Sequence, residues 1–314
     1  MNIRISSAAF RMIIPAASLA ALLIAVFWLQ PRAMSYSGLN LLLNLGVPIA
    51  LATIAQMLII AVNDLDLSMG TFVSFAACVS ATLLQTSPAV GVLILAAAIG
   101  VYALLGVVIY LRDLPSIVVT LGMSFVWAGL AVLLLPSPGG SAPDWARWVM
   151  TVRPPLMPVA IIASVVIALV AHAIVMRSTF GVLMRGVGGN QRSVERAGWS
   201  VVAIRAGTYA LAGFFAVLSG IALVGLTTSA DANIALRYTL LSIAGVILGG
   251  GEFVGGRVSP IGAVIGALTL TLAGSFLSFL RIPPDWQIGA QGAILIIVLA
   301  LRLLFNRLET RRQS

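Results

Sequence analysis

Residues 89–111 read AVGVLILAAAIGVYALLGVVIYL, a run with no charged side chain and no alternation of polar and apolar positions. A helix needs ~20 apolar residues to cross the ~30 Å hydrocarbon core of a bilayer, and this stretch meets that length. A transmembrane barrel strand would be about half as long and would alternate, so the run predicts a spanning helix. Outward from it the pattern recurs, with apolar runs at 12–29, 39–62, 70–87, 115–135, 154–175, 206–226, 238–251, 259–280 and 286–305. The eighth, 238–251, is short and glycine-rich. The expected fold is an all-α integral membrane protein, a polytopic helical bundle of about ten transmembrane spans forming one domain over residues 1–314.

Composition points the same way. Hydrophobic residues make up 61% of the chain and charged residues 9%, with a mean hydropathy of +1.11. A water-soluble domain carries about 25% charged residues, so this chain cannot coat itself against water. The formal charge of +9 comes from arginine, since lysine is absent. The arginines stand between apolar runs instead of clustering on a polar face, which argues against nucleic-acid binding and for an orientation signal. With the N-terminus inside, 13 of the 18 fall on the inner side, leaving Arg32, Arg147, Arg153, Arg237 and Arg281 outside. Both termini are then cytoplasmic and the number of spans is even, as ten satisfies.

The run 12–29 follows Arg4 and Arg11 but ends in Gln30-Pro31-Arg32 and not at a small-residue cleavage site, so it reads as a retained first span. The single cysteine, Cys78, allows no disulfide framework and no multi-cysteine metal site, and it reads as a small packed hydrophobe. His172, the only histidine, sits in an apolar run and reads as a packed or interfacial residue. No metal constellation and no catalytic triad is legible, and without lysine a phosphate-binding P-loop cannot be built. The expectation is a protein that is not itself an enzyme and needs no cofactor.

Similar junctions, Arg112-Asp113-Leu114-Pro115 and Arg281-Ile282-Pro283-Pro284-Asp285, separate apolar runs of similar length on opposite predicted sides. Either spans two to five and seven to ten are inverted copies of one unit, as in many transporters, or the two are unrelated hairpins of the kind any membrane protein contains.

Three stretches carry polar chemistry. Asn63-Asp64-Leu65-Asp66-Leu67-Ser68-Met69-Gly70 places two carboxylates between apolar runs, where ionisable groups are costly unless they find water or partners. It reads either as a helix break along a transport path or as a turn in which Asp66 and Ser68 cap the next helix. The cluster Gly249-Gly250-Gly251-Glu252-Phe253-Val254-Gly255-Gly256-Arg257 cannot continue a regular helix and predicts an irregular hairpin, either a hinge near a cytoplasmic gate or a tight turn. The inner connection, about 176–205, is the most polar segment. There Gly188-Gly189 is expected to break the chain, Asn190 to cap a short amphipathic helix carrying Arg192, Glu195 and Arg196, and Gly198, after Ala197, to end it. It reads either as a handle for a partner protein or as a solvated loop held inside by its arginines. The outer connection, 136–155, carries Trp145 and Trp148, which suit a membrane interface.

These stretches, with the Leu114-Pro115-Ser116-Ile117-Val118-Val119-Thr120-Leu121-Gly122 run, resemble in order and spacing the permease subunits of ribose-type ABC importers, over about 38–304. The resemblance implies a multi-pass permease domain in the bacterial inner membrane, usually paired with a second identical chain. Two cytoplasmic ATP-binding subunits would drive it, and a periplasmic sugar-binding protein would deliver a monosaccharide or similar polyol for alternating access. It also implies that Gly188, Gly189, Asn190, Arg192, Glu195, Arg196, Ala197 and Gly198 form the coupling segment toward the ATPase. The translocation path or gate would involve Asp64, Asp66, Ser68, Gly70, Gly250, Gly251, Gly255, Gly256 and Arg257. The family usually carries paired glycines before the Asp-Leu-Ser turn, where this chain has Asn63 and Asp64, and Glu252 sits in a hairpin that is normally neutral. Permeases for branched-chain amino acids or nucleosides are the near alternative. A stand-alone secondary transporter is the distant one, since only Asp64 and Asp66 could serve as its ion sites.

Overall fold

A computed structural model describes residues 7–253 and 255–283, together with the isolated positions 286, 289, 292 and 293. Among the described residues every regular element is helical. In chain order the α-helices are α1 (Ser7–Leu29), α2 (Tyr36–Asn44), α3 (Gly46–Ala61), α4 (Met69–Ala81), α5 (Leu83–Thr86), α6 (Pro88–Leu111), α7 (Ser116–Leu134), α8 (Asp144–Thr151), α9 (Val159–His172), α10 (Thr179–Arg196), α11 (Val201–Thr227), α12 (Tyr238–Leu248) and α13 (Pro260–Phe279), with a 3-10 turn at Pro31–Met34 and a π-helical turn at Ala173–Arg177. Seven helical stretches among these residues are long and apolar enough to cross a membrane. They coincide with predicted spans two to seven and nine. The shorter apolar helices Pro15–Leu29 and Tyr238–Leu248 fall on predicted spans one and eight. Predicted span ten, 286–305, lies outside the described residues apart from the isolated positions.

The chain is an all-α polytopic membrane protein with α3 and α11 at its centre. Every residue of α3 is buried, and α11 packs against α3, α4 and α6. Helices α6 and α7 lie at the periphery and turn Leu93, Phe125 and Leu133 outward, each about seven-tenths exposed or more (69%, 73% and 79%). Such apolar side chains are what a hydrocarbon solvent accepts. In the outer connection, α8 packs against α11 through Ala146 and Met150, while Trp145 and Trp148 remain exposed.

Two of the helices, α4 and α12, are preceded by irregular chain inside the bundle. Before α4, residues 64–67 run without helix along the start of α7, and Ser68 turns into the helix. Leu65 N–H donates to Ser116 Oγ at 3.1 Å and Leu67 N–H to Thr120 Oγ1 at 3.0 Å. Two residues of extended chain advance about 6.6 Å and four residues of helix 6.0 Å, so hydroxyls spaced i, i+4 can follow alternate amides of a strand. Before α12, residues 231–237 descend beside α4, where Ala235 N–H donates to Ser74 Oγ at 3.0 Å. Gly70 N–H then meets Thr239 Oγ1 at 2.9 Å. Predicted span eight is short in the sequence because its helix starts only after this irregular lead. Within the protein such backbone is tolerated because side-chain hydroxyls satisfy it.

Close backbone approach explains several glycines. A Cβ on Gly70 would stand 2.6 Å from the Ala235 carbonyl oxygen. Helices α12 and α13 touch through Gly245 and Gly249 against Gly262 and Gly266, two small-xxx-small pairs, and a Cβ on Gly262 would lie 1.9 Å from the Gly249 carbonyl oxygen. Gly262→Val is therefore expected to destabilise the detergent-solubilised chain by ~1–3 kcal/mol through overpacking. Gly122→Ala, at a position with no heavy atom within 4 Å, should leave the melting midpoint unlowered. Thermal unfolding of the two variants side by side checks this.

Candidate functional site

The polar stretches singled out in the sequence meet at one end of the bundle. After α3 the chain turns at Asn63, which takes φ of 63°, a left-handed conformation that asparagine tolerates better than most residues. Its side chain then bridges two other segments. Nδ2 donates to the Gly188 carbonyl at 2.6 Å, and Oδ1 accepts from Gly255 N–H at 3.1 Å. The backbones are close because nothing larger than hydrogen separates them. A Cβ on Gly188 would be 2.0 Å from the Ala61 carbonyl oxygen, and one on Gly256 would be 2.2 Å from that of Arg185.

The glycine cluster forms the irregular hairpin expected of it. Gly250, at φ of 94°, ends α12 with Gly250 N–H donating to Ile247 and Gly251 N–H to Val246, a Schellman stop. Glu252 N–H donates to the Arg257 carbonyl at 2.9 Å, and their side chains form an exposed ion pair at 3.3 Å. Between the hairpin and α10 lies an open cleft of about 450 Å³ lined by Val182, Arg185, Gly186 and Gly255 to Val258.

The inner connection is more ordered than its sequence predicts. It is helical from Thr179 through Gly189, and the break falls at Asn190 (φ −158°, ψ 92°), one residue after the expected Gly188-Gly189. Gly188 stays helical and serves close approach to the end of α3, Gly189 stays helical with only the Gly255 carbonyl oxygen at 3.7 Å from its Cβ position, and the change of direction falls to Asn190. The capped helix forms as expected. Asn190 Oδ1 accepts from Ser193 N–H at 3.1 Å, and Gly198, at φ of 85°, closes a second Schellman stop with Gly198 N–H bonded to Glu195 and Trp199 N–H to Val194. Only Val194 of this short helix is buried, whereas Arg192, Ser193, Glu195, Arg196 and Trp199 are exposed.

Glu195 differs from Arg192 and Arg196. Its Oε1 accepts from the Tyr110 hydroxyl at 2.8 Å and from Gln191 Nε2 at 3.3 Å, which ties the capped helix to the end of α6. Asp64 is held more tightly. Its Oδ2 accepts from Arg205 Nη1 at 2.5 Å and from the Tyr209 hydroxyl at 3.0 Å. The same guanidinium reaches Gln191 Oε1 at 3.4 Å and lies 5.7 Å from the centre of the Tyr110 ring. Arg205, Tyr209, Tyr110 and Gln191 were not singled out in the sequence. Arg205 and Tyr209 lie i, i+4 at the start of a span and so share a face, a legible signal in an arginine otherwise counted only for topology.

Asp66 sits deeper and is wholly buried. Oδ1 accepts from Ser68 N–H and Ser68 Oγ, each at 2.7 Å, and Oδ2 accepts from the Tyr102 hydroxyl at 2.7 Å. Its own backbone groups pair with the Gln56 amide, oriented so that it both donates and accepts, at 3.1 and 3.2 Å. The capping oxygen ahead of α4 thus belongs to Asp66, and Ser68 makes no side-chain cap of its own. With both carboxylate oxygens occupied by protein donors, contact between Asp66 and any cargo requires the turn to open. Around it Phe72 lies 4.3 Å from Tyr102 and 4.8 Å from Trp127, centroid to centroid, locking α4 to α6 and α7.

Apolar helices of membrane length, irregular leads buried among them and polar residues gathered at one end define a polytopic membrane protein. A family model described as branched-chain amino acid transport system / permease component matches residues 38–299, and the chain belongs to that family. It is similar to the galactofuranose transporter permease protein YtfT of Escherichia coli strain K12, at 27% identity over 83% of this chain and 78% of the relative. It is likewise similar to the galactose/methyl galactoside import permease protein MglC of Haemophilus influenzae, at 27% over 85% and 84%. With the ribose import permease protein RbsC of Escherichia coli strain K12 it shares 26% over 89% and 91%. No solved structure matches. The resemblance to ribose-type ABC permeases is borne out, as is the expectation of a transport subunit and not an enzyme.

Removing one donor to the buried carboxylate should weaken the fold locally. Tyr102→Phe is expected to cost ~1–3 kcal/mol, the range for leaving a buried acceptor unsatisfied. Ser80→Ala, whose hydroxyl only back-bonds to Ala76 in its own helix, should be nearly neutral. Thermal melting of the two variants in detergent measures the difference.

Proposed function

We propose that this chain is the membrane-spanning subunit of an ATP-driven importer for a monosaccharide or similar polyol. In this reading two copies form the translocation path and work by alternating access in a bacterial inner membrane. The observation that carries the reading is the exposed helix capped by Asn190 and stopped by Gly198, on a chain similar over most of its length to permeases named for galactofuranose, galactose and ribose. Such a helix, rigid at both ends and cationic on its free face, suits a cleft of a cytoplasmic ATP-binding subunit. Arg192 and Arg196 make the outward contacts, whereas Glu195, bonded to Tyr110, holds the helix on the permease.

The ten-span topology, with both termini cytoplasmic and residues 1–314 as one permease domain, belongs to the same reading. It is supported by the gathering of the predicted inner segments, Asn63-Asp64, Asn190 to Arg205 and Gly255-Gly256, at one end of the bundle. Inverted repetition of spans two to five and seven to ten is supported by the matching irregular leads before α4 and α12. Gly250, Gly251, Gly255, Gly256 and Arg257 then form a hinge at the inner gate. Asp64, Asp66, Ser68 and Gly70 fix the turn that carries α4.

A second reading, a permease for branched-chain amino acids, is favoured by the name of the family, and a permease for nucleosides is its near variant. A periplasmic binding protein that copurifies with the chain, screened against sugars, amino acids and nucleosides, separates the two. For the ATP-driven mechanism, Arg192→Glu/Arg196→Glu should lower ATPase stimulation by loaded binding protein at least about tenfold, because like charges brought together cost several kcal/mol. Undiminished stimulation, or uptake into vesicles by the purified chain alone, overturns the reading.

A further inference from the structure

The turn that follows α3 is fastened to the capped helix and its surroundings at four points. Asn63 Nδ2 holds the Gly188 carbonyl at 2.6 Å, and Asn63 Oδ1 holds the Gly255 amide at 3.1 Å. Asp64 holds Arg205, which in turn reaches Gln191, the first residue after the kink, and the Val62 carbonyl at 3.5 Å. The side chains of this ion pair are 12% and 9% exposed for Arg205 and Asp64, so solvent screens it little. Beyond Asp64 the chain is extended and pinned to Ser116 and Thr120 as far as Leu67, and then enters α4. The start of α4 meets the start of α12 at Gly70 and Thr239.

A continuous path of hydrogen bonds and stiff backbone therefore runs from the capped helix, through Asn63 and the Asp64–Arg205 pair, to the two irregular leads at the centre of the bundle. We propose that Asn63, Asp64 and Arg205 are positioning residues for coupling, a strut that converts displacement of Gln191–Arg196 into movement of the 64–68 segment and α4. Asn63 suits this part because it tolerates the left-handed turn while adding an amide that clamps two segments. Glu195 and Tyr110 supply a second tether, to α6, so that the capped helix moves against α6 and α4 together.

The inference rests on the reading that the capped helix meets an ATP-binding subunit, and its test separates the two. Two variants keep the backbone. Asn63→Gly retains the left-handed turn without the amide, and Asp64→Asn/Arg205→Gln replaces the ion pair with a neutral pair of similar shape. Each is assembled in nanodiscs or vesicles with its ATP-binding subunits and loaded binding protein. The measurements are cargo taken up per ATP hydrolysed and hydrogen exchange at residues 64–72 with and without ATP. The expected result is retained assembly with the ATP-binding subunits, a fall of about three- to tenfold in uptake per ATP, in the range by which residues between sites modulate coupling, and an ATP response in exchange confined to α10. Uptake per ATP equal to that of the unaltered chain, with residues 64–72 still responding, overturns the strut. Where the neutral pair does not assemble, Asn63→Gly alone decides by the same two readouts. If the unaltered chain neither assembles with ATP-binding subunits nor takes up cargo, the functional reading itself fails, and the strut with it.

Discussion

A peptide N–H or C=O placed in hydrocarbon has only the chain itself to bond to, and the structure is organised around that constraint. Over most of its length helix formation answers it. Where the chain must leave the helix inside the bundle, side-chain hydroxyls take over: Ser116 and Thr120 for the lead into α4, Ser74 and Thr239 where the lead into α12 passes α4. These residues look unremarkable in an apolar run. Their hydroxyls allow irregular backbone before α4 and α12 to lie inside the bundle with its amides satisfied.

The same constraint explains why polarity is concentrated at one end. Asp64, Arg205, Gln191, Glu195 and Tyr110 satisfy one another across three helices and a turn, and Asn63 closes the gap between α10 and the glycine hairpin. Breaking the largely buried Asp64–Arg205 pair would leave an uncompensated charge at low dielectric, whereas the bonds of Glu195 to Tyr110 and Gln191 lie at the surface. The bonded network thus lies at this end of the bundle and the irregular backbone farther in.

Local chemistry made part of the site legible in advance. The cap at Asn190, the stop at Gly198 and the irregular hairpin at Gly249 to Arg257 follow from what asparagine and glycine do in any backbone, and all three are present. The break at Gly188-Gly189 was misplaced by one residue because glycine flexibility and glycine smallness look alike in a sequence. Here smallness was in use, against the Ala61 carbonyl. The partners of Glu195 and Asp64, Tyr110 and Arg205, lie 85 and 141 residues away, beyond the reach of any local pattern.

The sequence by itself determined that the chain is helical, that it crosses a membrane many times, and where most crossings fall, because each of these depends on the length and polarity of a contiguous run. It also determined the capped helix, whose signals lie within nine residues. Tertiary structure alone decided that Asn63 would clamp two distant segments, that Arg205 would answer Asp64, and that α12 would be preceded by irregular chain beside α4. Each of those depends on which buried polar group lies within about 3 Å of which other, a property of packing that no local window of residues contains.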